Sequence, residues 1–133
     1  MATIRKEILI NASADQVWDV VRDVGAIHTR FAPGVVVDTR LEEGGAARIV
    51  TFANGLVARE LIVTLDNAAR RLAYAVVGGR ASHHNASFQV FPTPEGRTSL
   101  VWLTDLLPDT VAPAFTAMIE GGAIVIKRTL DRH

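Results

Sequence analysis

The chain has 133 residues, of which 49% are hydrophobic and 21% charged, a globular composition with enough apolar side chain for a real core. Lys plus Arg and Asp plus Glu both number 14, which argues against nucleic acid or an anionic membrane as the main partner, since both need a basic surface. Cysteine is absent, which excludes a disulfide framework, a thiolate nucleophile and cysteine metal sites, and fits a reducing, cytoplasmic setting.

The N-terminus carries no apolar signal run, and the uninterrupted apolar runs are only a few residues long, so no membrane insertion is expected. Thr3 to Ile10 reads as a strand. Ser13-Ala14-Asp15-Gln16 has the spacing of a capping box. Val17, Trp18, Val20, Val21 and Val24 follow at helical spacing, and Gly25 suits the end of that helix. A second short helix is expected over about Ala26 to Phe31, closing before Pro33.

From Val35 the punctuation is that of strands: Val35–Leu41, Ala46–Ala53, Leu56–Leu65, Arg71–Val77, Arg80–Phe91 and Arg97–Leu107. Asn54-Gly55 and Gly78-Gly79 are among the turns between them. Pro108 to His133 is expected to form one long helix, with Asp109 as N-cap and Pro113 in the first turn. Val111, Phe115, Met118, Ile119, Gly122, Val125, Ile126 and Leu130 fall on one broad arc of it. Thr116, Glu120, Lys127 and Asp131 make the opposite stripe.

Six consecutive antiparallel strands curl, and the first strand can join their edge. The expected fold is α+β: a curved seven-stranded antiparallel sheet around a long C-terminal helix, with two short helices after the first strand, all in one domain over residues 1–133. A sheet of that size under one helix must be filled by side chains or by a ligand. Gly122 on the inner arc either lets the helix approach the short helices or leaves space in a cavity.

Motifs along the whole chain resemble the helix-grip fold of the START-like and Bet v 1-like (SRPBCC) proteins, and within it the polyketide cyclase/dehydrase family. They are Ile8-x-Ile10-x-Ala12-Ser13-x-x-x-Val17-Trp18, Phe31-x-Pro33-Gly34-Val35, Glu60-Leu61 leading to Leu65-Asp66, Val76-Val77-Gly78-Gly79, Thr98-x-x-x-Trp102 and Gly122-x-x-x-Ile126-Lys127-x-x-Leu130. Glu60 to Gly79 is also similar to the plant abscisic-acid receptors. The resemblance implies that Glu60, Tyr74 and Val76 face a ligand pocket, and that His84, Ala86, Phe88 and Val90 face inward on the next strand. Thr98, Leu100, Trp102, Thr104 and Leu106 face inward on the last. The tight Asn54-Gly55-Leu56-Val57 turn is shorter than the receptors' gate, and Thr29 or Arg30 stands where they have a lysine, so the hormone is not expected to bind. Alternation alone puts Val57, Arg59, Leu61, Val63 and Leu65 inside on the strand Leu56–Leu65. The resemblance puts Ala58, Glu60, Ile62 and Thr64 there, and is followed here; otherwise Arg59 takes the place of Glu60.

The expected function is binding of a small hydrophobic molecule, aromatic or polyketide/lipid-like, in a cavity between sheet and helix. Phe115, Met118, Ile119 and Gly122 would form the helical wall. The alternative is a cyclase, dehydratase or lyase with Glu60 and His84 as acid and base, since burial raises a carboxyl's pKa and an imidazole can transfer a proton near neutrality. Glu60 could instead be ion-paired to Arg30, Arg48 or Arg59, and Arg30 near Pro33 could draw an anionic ligand to a mouth. His83 and His84 point oppositely on a strand, so no metal site is expected there. No cofactor fingerprint is present. Ile124, away from the main apolar arc, leaves a homodimer open.

Overall fold

The computed structural model describes residues 2–131; Arg132 and His133, which the sequence puts at the end of the last helix, lie outside the described residues. The strands are β1 (Ala2–Ile10), β2 (Val36–Glu42), β3 (Ala47–Phe52), β4 (Val57–Asp66), β5 (Arg71–Val77), β6 (His83–Pro92) and β7 (Thr98–Leu107), and the two α-helices are α1 (Ala14–Val21) and α2 (Ala112–Leu130). All seven strands form one antiparallel sheet in the order β1-β7-β6-β5-β4-β3-β2. The first strand therefore closes onto the last. Register shifts at Val36/Asp38 and Ile62/Thr64 break the ladder in β2 and β4, and such bulges bend a strand and raise its twist.

The capping box forms as its spacing requires: Gln16 N–H donates to Ser13 Oγ at 3.2 Å, and Ser13 N–H donates to Gln16 Oε1 at 3.1 Å. The helix does not run to Gly25. It stops at its C-cap Arg22, because Val24 and Ala26 N–H turn back to Arg22 and Asp23 carbonyls. Gly25 serves close approach instead, since a Cβ there would lie 3.1 Å from the Leu41 side chain. The second short helix is a single wide turn, Ile27–Phe31, in which Ala32 N–H reaches Ile27 O at 2.8 Å. The strand expected from Arg80 starts at His83, so Gly78 to Ser82 form a loop.

Asp109 does not cap the last helix. Asp109–Val111 form a tight 3₁₀ turn, and α2 follows with Val111 at the N-cap position and Pro113 in the first turn. By length and composition alone, Asp109–Leu130 could cross a membrane; here Ile119, Ala123, Ile126 and Leu130 are buried in the protein. From Glu120 onward α2 is fastened to β1 by polar contacts. Lys127 Nζ donates to Leu9 O at 2.6 Å, Asn11 N–H to Asp131 Oδ1 at 2.8 Å, and Lys6 pairs with Glu120 at 2.8 Å. Before Glu120, Pro113, Ala114, Thr116 and Ala117 are exposed.

Candidate functional site

A pocket of about 240 Å³ lies between the concave face of the sheet and α2. Its wall draws on inward positions of five neighbouring strands. Arg48, Val50 and Phe52 come from β3, Ala58 and Glu60 from β4, Leu72, Tyr74 and Val76 from β5, and His84 and Phe88 from β6. Trp102 and Thr104 come from β7, and Phe115, Met118, Ile119, Gly122 and Ile126 from α2. Val20 and Val21 of α1, with Ile27 and Phe31 of the wide turn, complete it. Glu60, Tyr74, Val76, His84, Phe88, Trp102, Thr104, Phe115, Met118, Ile119 and Gly122, the ligand-binding candidates from the sequence, stand on this wall, whereas the inward-facing Ala86, Val90, Thr98, Leu100 and Leu106 are buried in the core and do not line it.

The rings form one cluster. Phe88 stacks on Trp102 with centroids 4.7 Å apart and lies 6.3 Å from Tyr74, while Phe31 meets Phe88 edge-on at 5.1 Å. The register explains this, because Phe88 is the cross-strand partner of Trp102 and such pairs have adjacent Cβ atoms. Gly122 serves this cluster and not the short helices: the nearest atoms to a Cβ placed on it are Cη2 and Cζ3 of Trp102, at 3.4 Å.

Polar groups are few and specific. Glu60 is 6% and Arg48 3% exposed. They face each other in the β3–β4 register, and Arg48 Nε donates to Glu60 Oε1 at 2.8 Å. Arg48 Nη1 also reaches Val24 O at 3.3 Å, and the guanidinium carbon sits 5.1 Å above the Tyr74 ring. Burial pushes the Glu60 carboxyl above the usual range, and the Arg48 charge and hydrogen bond pull the other way. Burial, and then the Glu60 charge, push the Tyr74 hydroxyl up, so it stays protonated. The indole N–H of Trp102 influences that hydroxyl but makes no hydrogen bond, and Thr104 Oγ1 is likewise buried without a partner.

Arg59 lies on the outer face, where it pairs with Glu42 at 3.3 Å and Glu43 at 3.1 Å. His84 points inward with its ring edge-on to Phe115 at 5.0 Å. Burial, and then the neighbouring His83, lower its pKa. His83 is exposed and bonds Asn85 Oδ1 at 2.6 Å. Arg30 is not at the pocket mouth; it is held between Asp19 and Asp23, both at 2.8 Å. Among the described residues no group of three or more His, Asp or Glu converges as a metal site would require.

The family described as polyketide cyclase / dehydrase and lipid transport matches residues 1–132. The chain belongs to that family. Members of the fold include the protein XoxI from Bacillus cereus, with TM-score 0.86 and 20% identity over 98% of this chain and 96% of that one. The di-domain ARO/CYC BexL gives TM-score 0.85 and 18% identity over 98% of this chain and 47% of that one. Norcoclaurine synthase from Thalictrum flavum, in complex with dopamine and hydroxybenzaldehyde, gives 0.74 and 20% over 98% and 84%. At these identities the likeness is one of fold. No curated protein matches by sequence.

Within this polyketide cyclase / dehydrase chain, Arg48 is the wall residue that sequence reasoning treated only as an ion-pair partner. Its signal is readable: Arg48 is in phase with Val50 and Phe52, so an arginine shares the inward face of β3 with two apolar residues. Phe31 and Ile27 were also passed over, because they come from the wide turn and obey no strand period.

Proposed function

We propose that the protein binds one small, mainly apolar aromatic molecule in the pocket between the sheet and α2. The observation that carries this is the ring cluster of Phe31, Tyr74, Phe88 and Trp102 on one side of the pocket, with apolar α2 residues opposite. Aromatic faces and edges favour another ring at about 4.5–7 Å. The volume also supports it. A dry cavity of about 150 Å³ takes benzene, so about 240 Å³ suits one or two rings. Norcoclaurine synthase, which shares the fold, is recorded with dopamine and hydroxybenzaldehyde, both single-ring molecules. The test is thermal unfolding of the protein with saturating 2-naphthol. A ligand that binds only the folded state raises the midpoint with concentration. No rise with any of a set of one- and two-ring aromatic compounds would contradict the proposal.

The catalytic alternative rests on Glu60 and His84 lining the same pocket. It ranks second for two reasons. One Glu60 oxygen is committed to Arg48. The register also puts Val76 on β5 opposite Glu60, so a whole strand separates it from His84 on β6.

A further inference from the structure

The pocket is mostly apolar, and the Arg48–Glu60 pair sets a buried guanidinium and carboxylate side by side on its wall. Arg48 and Glu60 are both more than nine-tenths buried and both line the pocket. Their direct bond uses only Arg48 Nε and Glu60 Oε1, and Arg48 Nη1 is taken by Val24 O. Among the described residues, Glu60 Oε2 and Arg48 Nη2 form no hydrogen bond. Both residues line the pocket, and neither atom is among the buried unpartnered ones, which include Trp102 Nε1 and Thr104 Oγ1. The pocket thus offers a carboxylate acceptor beside a guanidinium donor, next to the Tyr74 ring that lies under the guanidinium.

We propose that the Arg48–Glu60 pair is the polar anchor of the pocket, and that its ligand is a neutral aromatic phenol or enol whose hydroxyl donates to Glu60 Oε2 and accepts from Arg48 Nη2. This rests on the aromatic-binding reading above and names the chemistry of the same site. A hydroxyl oxygen is both donor and acceptor, so one atom can satisfy both positions. The pair is already balanced in charge, so a bound carboxylate would face the Glu60 carboxylate and a bound ammonium would face Arg48. Hydrogen bonds to charged partners are the stronger kind, and they discriminate most where water is excluded.

Isothermal titration of the intact protein at neutral pH with four two-ring probes tests this: naphthalene, 2-methoxynaphthalene, 2-naphthol and 2-naphthoate. The methoxy probe can accept but not donate. The expected result is that 2-naphthol binds about tenfold tighter than naphthalene and 2-methoxynaphthalene, and that 2-naphthoate binds weakest. In the paired variant Arg48→Met/Glu60→Leu, which removes both charges together, 2-naphthol should lose its advantage over naphthalene. Naphthalene binding as tightly as 2-naphthol to the wild-type protein overturns the anchor while leaving the aromatic pocket standing, and so does 2-naphthoate binding as tightly. No binding by any of the four overturns the aromatic reading itself. The wild-type ranking decides the matter even if the paired variant fails to fold.

Discussion

Arg48 joins β3 to β4 through Glu60, to the loop after α1 through Val24, and to β5 through the Tyr74 ring. Removing one partner of a buried pair leaves the other charge desolvated, which typically costs about 3–5 kcal/mol, whereas removing both is often neutral. Arg48→Met is therefore expected to lower stability by about that much at neutral pH, and Arg48→Met/Glu60→Leu to recover most of the loss. The pH dependence has a definite sign. Without Arg48, nothing opposes the upward push of burial on Glu60. A carboxyl with a raised folded-state pKa contributes most below its unfolded value and loses that contribution as pH rises through the folded value. The deficit of Arg48→Met should thus shrink as pH falls from neutral toward the ordinary carboxyl range; urea unfolding at several pH values measures it. An equal deficit at all pH values would mean that Glu60 is not the group left stranded.

The phase of β4 was the least readable feature of the site. Of the more apolar set there, Arg59 and Val63 face outward, and Val63 is 64% exposed. Counting apolar residues fails on this strand because its inner face carries Glu60, and Glu60 is buried only because Arg48 stands opposite it in the register. The signal lay on the neighbouring strand, not in β4 itself.

Among the elements, α2 does two jobs with its two halves. From Glu120 onward it is tied to β1 and the residue after it through Glu120, Lys127 and the C-cap Asp131. Its N-terminal half supplies Phe115 and Met118 to the pocket while its outer residues stay in solvent. The two mid-helix glycines separate these roles in an experiment. A Cβ on Gly121 meets nothing within 4 Å, whereas one on Gly122 stands 3.4 Å from Trp102. Each Gly→Ala change should gain about 1 kcal/mol of helix propensity. Gly121→Ala should leave 2-naphthol affinity unchanged, and Gly122→Ala should weaken it by taking space beside Trp102. Titration of both variants checks this, and equal affinities would place the ligand away from Gly122.

The helix was readable from its apolar arc, and the strands from their turns; β5 runs from Arg71 to Val77 as the punctuation indicates. The helix start was not, because Asp109 enters a 3₁₀ turn before α2 begins. Nor was the end of α1, because Gly25 is kept for the approach of Leu41 and not for a cap.

For the molecule as a whole, the sheet curls, α2 closes it, and the space left between them is rimmed by rings with one balanced ion pair on its wall. The rest of the surface offers Ile124, 65% exposed on the outer side of α2, as the apolar residue to watch in any self-association. The family supports ligand binding or a cyclase role in general, and the aromatic ligand is the proposal that the ring cluster supports.

The most direct test is methyl-resolved NMR of the protein titrated with 2-naphthol. Shifts concentrated on Met118, Ile119, Val76 and Val50, saturating at one equivalent, are the expected result. Saturable shifts confined to outward residues such as Ile124, Val63 or Leu9, with the pocket methyls unmoved, would contradict the claim that the ligand sits between the sheet and α2.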